Sequence, residues 1–300
     1  LEAKGLAFVM GADYIEQDVV LTRDRVPIVS HDIHIDTTTD VAYRAEFADR
    51  RRMDGRFYAI DFTWAEIQTL WVHERTVWPE GHVEYPNRYP FLLDEKRFKI
   101  ASLEQELDYI SKLNAAAKKN VGIYTELKSP EFHLAAGVHY DIVPIVTSLL
   151  RQKGFENPGA KAFIQCFDWP TLQRIKQQGL STIPLVLLIG ENNWLESAST
   201  NYDYFKTEAG LQEAAGVVSG VGPWIPQVVQ KAPTQPQGFS ISTLVTSAHK
   251  WNLKVHPYTL RADDETSQYI PFEKLLDILR QKAGVDGVFT DFPDRAVRSL

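Results

Sequence analysis

The sequence holds a single cysteine, Cys166, among its 300 residues. One thiol cannot close an internal disulfide, so the fold does not depend on oxidation. No apolar run approaches the roughly 18 residues that a membrane-spanning helix needs, which argues against stable membrane insertion. Positive charge is not in excess: the formal net charge is -7 and the isoelectric point is near 5.7. Such a chain has no electrostatic reason to seek nucleic acid or an anionic membrane. The one basic cluster, Arg50-Arg51-Arg52, is flanked by Asp49 and Asp54 and reads as a solvated surface stretch. Internal repeats and low-complexity tracts are missing, and so is a visible signal peptide. The first ten residues read as the middle of an amphipathic helix with no start methionine and no cap, so any targeting segment is expected upstream.

What is present is ordinary in bulk, with 44% apolar and 24% charged residues, enough for a normal core. The length suits one (β/α) barrel of about 250 residues plus an insertion. Short apolar or alternating runs recur at 14–21, 26–30, 121–127, 162–167, 184–189, 217–221, 253–259 and 287–292. Several are nearly continuous in Val, Ile, Leu and Phe, as strands covered on both faces should be. Helical patterns separate most of them, over 103–113, 134–153, 169–178, 207–215, 240–252 and 271–283. Ser102 with Gln105 and Thr63 with Glu66 have capping-box spacing. Alternating strand and helix predicts a parallel sheet, here a TIM-type (β/α)8 barrel. The run at 26–30 follows Leu21 too closely for a parallel crossover and reads as an extension hairpin. Seven barrel strands remain, so the eighth is expected just before residue 1. Barrel sequence thus covers 1–31 and 101–300. Residues 32–100 break the rhythm, are rich in Asp, Arg, Tyr and Trp, contain Pro79, Pro86 and Pro90, and are too long for a structureless loop. They predict a small inserted subdomain at the barrel mouth, with Trp64, Trp71 and Trp78 in its core or, alternatively, on a membrane.

Polar residues cluster late in these strands. Positions i and i+2 face the same way, which pairs Glu16 with Asp18, Glu126 with Lys128, Gln165 with Phe167, His256 with Tyr258 and Thr290 with Phe292. All parallel strands end at one barrel face, where barrel enzymes keep their active sites. Two carboxylates on one face of a buried strand are costly without a cation. With Glu126 there are three, a hard oxygen set suited to Ca²⁺ or Mg²⁺, although a salt-bridge network would also explain them. Lys128 either neutralises Glu126 or meets a phosphate. His31 titrates near neutrality and suits proton transfer, or it is a turn histidine. His256 contacts substrate or packs the core. Gln165 is a candidate substrate contact, and Phe167, Trp224, Tyr258 and Phe292 are candidate pocket walls. Histidines 34, 73, 82, 133, 139 and 249 read as surface or packing residues.

Gly11-Ala12-Asp13-Tyr14-Ile15-Glu16-Gln17-Asp18-Val19-Val20-Leu21-Thr22, Val26-Pro27-Ile28-Val29-Ser30-His31-Asp32 with Asp36-Thr37-Thr38-Thr39, Ile123-Tyr124-Thr125-Glu126-Leu127-Lys128-Ser129-Pro130 and Val285-Asp286-Gly287-Val288-Phe289-Thr290-Asp291-Phe292-Pro293 resemble, in that order, strands of the glycerophosphodiester phosphodiesterase family. The stretch 54–63 and Gln165-Cys166-Phe167-Asp168 resemble its periplasmic or secreted bacterial branch. The resemblance implies metal-dependent hydrolysis of small glycerophosphodiesters to glycerol 3-phosphate and an alcohol. It implies a divalent cation, Ca²⁺ before Mg²⁺, on Glu16, Asp18 and Glu126, with Lys128 at the phosphate. His31 would be one of two acid/base histidines, in a mechanism in which the glycerol 2-hydroxyl attacks phosphorus and water opens the cyclic product. The family's His-Arg-Gly motif and the Pro-Glu-His or Pro-Glu-Asn motif after it are missing here. This leads us to expect roughly 20–30 further residues upstream, the size of the rest of a βαβ unit, and impaired activity without them. Alternatives at this stage are a related barrel phospholipase or sphingomyelinase, a non-catalytic binding protein on the same barrel, and a metal-dependent lyase or isomerase. Oligomeric state is not legible.

Overall fold

The computed structural model describes residues 1–86, 96–135, 140–263 and 270–299. Pro90, His139 and part of the helix expected over 134–153 lie outside them. Strands β1 (Tyr14–Leu21), β2 (Pro27–Val29), β3 (Gly122–Leu127), β4 (Ala162–Cys166), β5 (Leu185–Ile189), β6 (Gly220–Pro223), β7 (Val229–Lys231), β8 (Phe239–Ile241) and β9 (Lys254–Val255) follow in chain order. One sheet runs β2-β1-β3-β4-β5-β6-β9. Every pairing in it is parallel except β1 with β2, where Val20 faces Ile28. The expected hairpin is therefore present, and the rest forms a parallel barrel wall. β3 and β5 are buried on both faces, which is why their sequences carry no alternation.

The segment expected as a closing strand over 287–292 lies beside β9, held by Leu260 N–H to the Phe289 carbonyl at 2.7 Å and Phe289 N–H to the Pro257 carbonyl at 3.0 Å. It has one neighbour only, so it forms a bridge between Leu260 and Thr290 and no continuous ladder. Among the described residues no strand joins this segment to β1, and the barrel is open there. Helices Glu2–Met10 and Pro293–Arg298 pack together beside the gap.

Helices Leu103–Ala117 and Trp64–Ile67 start at the expected capping boxes. Two readings shift. The strand expected at 217–221 is Gly220–Pro223, because Val217 and Val218 still donate to the Ala214 carbonyl and finish the preceding helix. The helix expected over 240–252 is Leu244–Lys250, because Phe239–Ile241 pairs antiparallel with β7 instead. The helical stretch over 134–153 is two helices, Pro130–Ala135 and Ile142–Gln152.

Residues 32–86 and 96–100 build a second core of Ile35, Val41, Phe47, Phe57, Ala59, Phe62, Ile67, Leu70 and Ile100, joined by Val20 and Ile28 of the hairpin. Of the three tryptophans, Trp64 packs against it. Trp71 lies under Lys99, 3.4 Å from the ring centre, and Trp78 is exposed beside Arg56. The arginine cluster is not simply solvated. Arg50 holds Glu66 at 2.7 Å and Arg52 holds Asp61 at 2.7 Å, which ties the short helices together.

Candidate active site

The register of the parallel strands stacks the inward residues in layers. Asp18 faces Glu126 across β1 and β3, and Glu126 faces Gln165 across β3 and β4. One step towards the strand starts, Tyr14, Tyr124, Phe163, Phe289 and His256 make an aromatic floor. Tyr124 stacks on Phe163 at 4.8 Å, and its hydroxyl lies 3.0 Å from His256 Nδ1. His256 thus sits in that floor, two residues below Tyr258 on its strand, with its basicity lowered by burial.

Above the floor, Glu16, Asp18 and Glu126 converge until a ligand atom from each lies within 4.8 Å of the others. Lys128, 5% exposed, places Nζ 3.0 Å from Glu126 Oε1. Gln165 Nε2 donates to Glu16 Oε1 at 3.1 Å, and Gln165 Oε1 is buried without a hydrogen-bond partner. Burial, then the Asp18 charge, pushes Glu16 well above the ordinary carboxylate range. Burial raises Glu126 to about 8 against the pull of Lys128. Burial also acts upward on Asp18, but Lys128, His31 and a hydrogen bond with Glu126 outweigh it and leave Asp18 below its usual value. Protons are here standing in for positive charge. Three oxygen donors that cannot all ionise unaided, beside an orphan amide oxygen, fit a hard divalent cation.

His31 follows the β1–β2 hairpin to the mouth, with its side chain exposed and Nδ1 2.6 Å from Asp32 Oδ1. Asp32 also pairs with Arg75, and both hold its carboxyl well below the ordinary range against burial. Partial desolvation by the surrounding rim acts to lower His31, and Asp32 and Asp18 overcome it, so the imidazole is more basic than usual. Phe167, Trp224 and Tyr258 line the same cavity of about 1900 Å³. Phe292 does not: its ring packs on Phe272 at a centroid distance of 6.1 Å.

Several wall residues were not singled out in the sequence. Lys4, from the first helix, donates to the Glu16 carbonyl and lies 3.6 Å from the buried Glu106. Arg75, Trp194, Glu196 and Arg261 also line the cavity. Arg261 could have been suspected, being late on the His256–Tyr258 strand. The others come from loops or a helix with no local signal.

A barrel wall ending in a carboxylate triad, a buried lysine and a rim histidine fits a hydrolase that acts on a phosphate ester through a hard cation. The sequence profile of the "Glycerophosphoryl diester phosphodiesterase family" matches residues 1–295, and the chain belongs to that family. A glycerophosphodiester phosphodiesterase of Haemophilus influenzae is 36% identical, aligned over 100% of this chain and 85% of its own. A crystal structure from Silicibacter pomeroyi, described as a glycerophosphoryl diester phosphodiesterase, has a TM-score of 0.69 at 24% identity, covering 100% of this chain and 86% of that one. An Oleispira antarctica phosphodiesterase, solved with the product sn-glycerol-3-phosphate, has a TM-score of 0.61 at 17% identity, covering 98% of this chain and 87% of that one. The present protein is therefore an enzyme that hydrolyses glycerophosphodiesters to glycerol 3-phosphate and an alcohol.

Proposed function

We propose that Glu16, Asp18 and Glu126 hold Ca²⁺, with Mg²⁺ as the weaker alternative, and that Lys128, His31 and Gln165 work around that centre on a small, water-soluble glycerophosphodiester. The observation that carries this reading is the convergence of three carboxylates within 4.8 Å at the base of a cavity open to solvent. The cation would supply Lewis acidity, making a neighbouring glycerol hydroxyl more acidic and offsetting charge that develops on phosphorus oxygens. Lys128 is fixed as an ammonium by Glu126 and Asp18 and would hold a phosphate oxygen through the reaction. Gln165, anchored by Glu16, would keep that carboxylate aimed. His31 stands at the solvent side of the cavity, with Asp32 fixing the orientation of its ring, and would pass a proton between substrate oxygen and water. A glycerol hydroxyl already on the substrate needs no second molecule to be captured, which lowers the entropic barrier of the first step. In line with the secreted-branch resemblance, we place the enzyme outside the cytoplasm, which cell fractionation would check.

A panel of glycerophosphodiesters, with and without Ca²⁺, tests the reading. Glycerol 3-phosphate should appear with Ca²⁺ and stop appearing when a chelator is added. Turnover that continues at full rate in excess chelator would refute the metal assignment. Release of product from intact phospholipid vesicles, but not from soluble diesters, would favour a lipase instead.

A further inference from the structure

The run Asp36-Thr37-Thr38-Thr39-Asp40 starts four residues after Asp32, and each of its members holds a stretch of the inserted subdomain. Asp36 accepts from Arg56 Nε at 2.8 Å and from Phe57 N–H at 3.0 Å. The Thr37 carbonyl accepts from Thr76 N–H at 2.9 Å, and the Thr38 carbonyl from His73 N–H at 3.0 Å. Thr39 bridges to Val72, and its carbonyl lies 2.9 Å from His73 Nε2. Asp40 accepts from Trp71 N–H at 2.7 Å. Residues 72–76 are thereby laid along the run. They also pair with the chain that returns at 83–84: Thr76 bridges to Val83, and Glu84 N–H donates to the Arg75 carbonyl at 2.9 Å.

This frame carries Arg75 to the cavity. Arg75 Nη1 donates to Asp32 Oδ2, and Glu84 Oε2 stands 3.8 Å from Arg75 Nε. The other oxygen of the same carboxylate, Asp32 Oδ1, lies 2.6 Å from His31 Nδ1. Each oxygen of Asp32 is held by a different cationic group, which fixes the plane of the carboxylate. An ionised carboxylate can only accept. The neutral imidazole therefore carries its proton on Nδ1 and leaves Nε2 for the reaction. The His31 side chain is 59% exposed, so packing does little to orient it. Asp18 and Lys128 act on it by charge from the strand ends, and the bond to Asp32 sets its direction.

We propose that Arg75 is a positioning residue for the acid/base histidine: the inserted subdomain reaches the barrel mouth to lock Asp32, and Asp32 sets the tautomer and aim of His31. This rests on the phosphodiesterase reading, in which His31 moves the proton. The insertion then has a part in the chemistry, although it supplies no group that touches the substrate.

The test follows glycerophosphocholine hydrolysis with Ca²⁺. Arg75→Met and Arg75→Gln should lower kcat about tenfold to a hundredfold, the cost of a misaimed group, with KM moved by less than about twofold. Arg75→Lys, which keeps a cation for a single contact, should recover most of the loss. Asp32→Ala should lower kcat as well, and adding Arg75→Met to it should cost less than about a further twofold, because the two act as one unit. Losses that multiply in the double variant would overturn the proposal. So would a raised KM at unchanged kcat, which would make Arg75 a substrate contact. A readout free of turnover is the ¹⁵N spectrum of the neutral His31 ring. The wild type should hold the proton on Nδ1, and Arg75→Met should shift it towards Nε2. Should the wild type hydrolyse no glycerophosphodiester, the phosphodiesterase reading fails, and this spectrum still decides: the same tautomer in wild type and Arg75→Met would overturn the positioning role.

Discussion

His133 is the titratable group whose environment is simplest to convert into a stability measurement. It sits on the helix Pro130–Ala135, just after the Lys128 strand end, and is 1% exposed, with neither ring nitrogen hydrogen-bonded among the described residues. Burial alone lowers its pKa from 6.5 to about 4. The folded state therefore keeps this ring neutral while the unfolded chain takes up a proton near 6.5. Its contribution is full above pH 6.5 and is lost as the pH falls from there towards 4. Linkage makes the loss about 2 kcal/mol between pH 7 and pH 5. Other groups titrate in that window, so the perturbation must be a difference. Urea unfolding of the wild type and of His133→Leu, a swap of similar volume, should be run at both pH values. The wild type should lose about 2 kcal/mol more than the variant on going to pH 5. Parallel losses within about 0.5 kcal/mol, the tolerance of independent sites, would mean that the ring protonates in place, and the argument from burial would be wrong.

Four further outcomes follow from the site and its frame. Glu126→Gln should reduce kcat/KM by at least about a thousandfold with an unchanged far-UV circular dichroism spectrum. Ca²⁺ at a hundred times its Kd should raise the wild-type Tm by about 4 °C, the linkage energy divided by the unfolding entropy of a chain this size, and should not raise that of Glu126→Gln. His31→Ala should lower kcat by about a hundredfold to ten-thousandfold and flatten the pH dependence near neutrality, as rate profiles will show. Gly122→Ala should destabilise the protein by about 1–3 kcal/mol in urea titrations, because its Cβ would stand 2.5 Å from the Tyr14 ring and 2.7 Å from the Lys161 carbonyl.

The parts of the fold that could be read were those where local pattern and tertiary role coincide. Leu185–Ile189 is a continuous apolar run because both faces are covered, and nothing competes with that reading. Ser102 and Thr63 cap helices through contacts three residues away. Errors arose where a residue's partner is distant. Phe239–Ile241 is a strand only because β7 lies beside it. Val217 belongs to the preceding helix because of a bond to Ala214, which a run of valines conceals. The carboxylates were legible because i, i+2 spacing on strands that all end at one face fixes their convergence. His256 has the same spacing, but it lies one layer lower, and depth along a strand is set by sheet register, which the sequence does not carry. Lys4, Arg75, Trp194 and Glu196 reach the cavity from a helix and loops, where neither period nor spacing points inward.

Charge balance explains why a site for an anionic substrate is built from acids. Lys4 is already engaged by Glu106 and the Glu16 carbonyl. Against Glu16, Asp18 and Glu126, Lys128 is the cation in direct contact. The cluster alone is thus two charges in deficit when fully ionised, and in the metal-free state protons make up part of it, as the raised Glu16 and Glu126 show. A divalent cation closes that deficit, and a monovalent one leaves the cluster repelling a phosphodiester. On the proposed reading, Lys128 and His31, the latter more basic than usual, meet the substrate's own negative charge, and His31 would carry the proton the reaction must move. The acids, on the same reading, repel an anion whenever they are ionised without the metal, so substrate binding should depend on the same ion as catalysis.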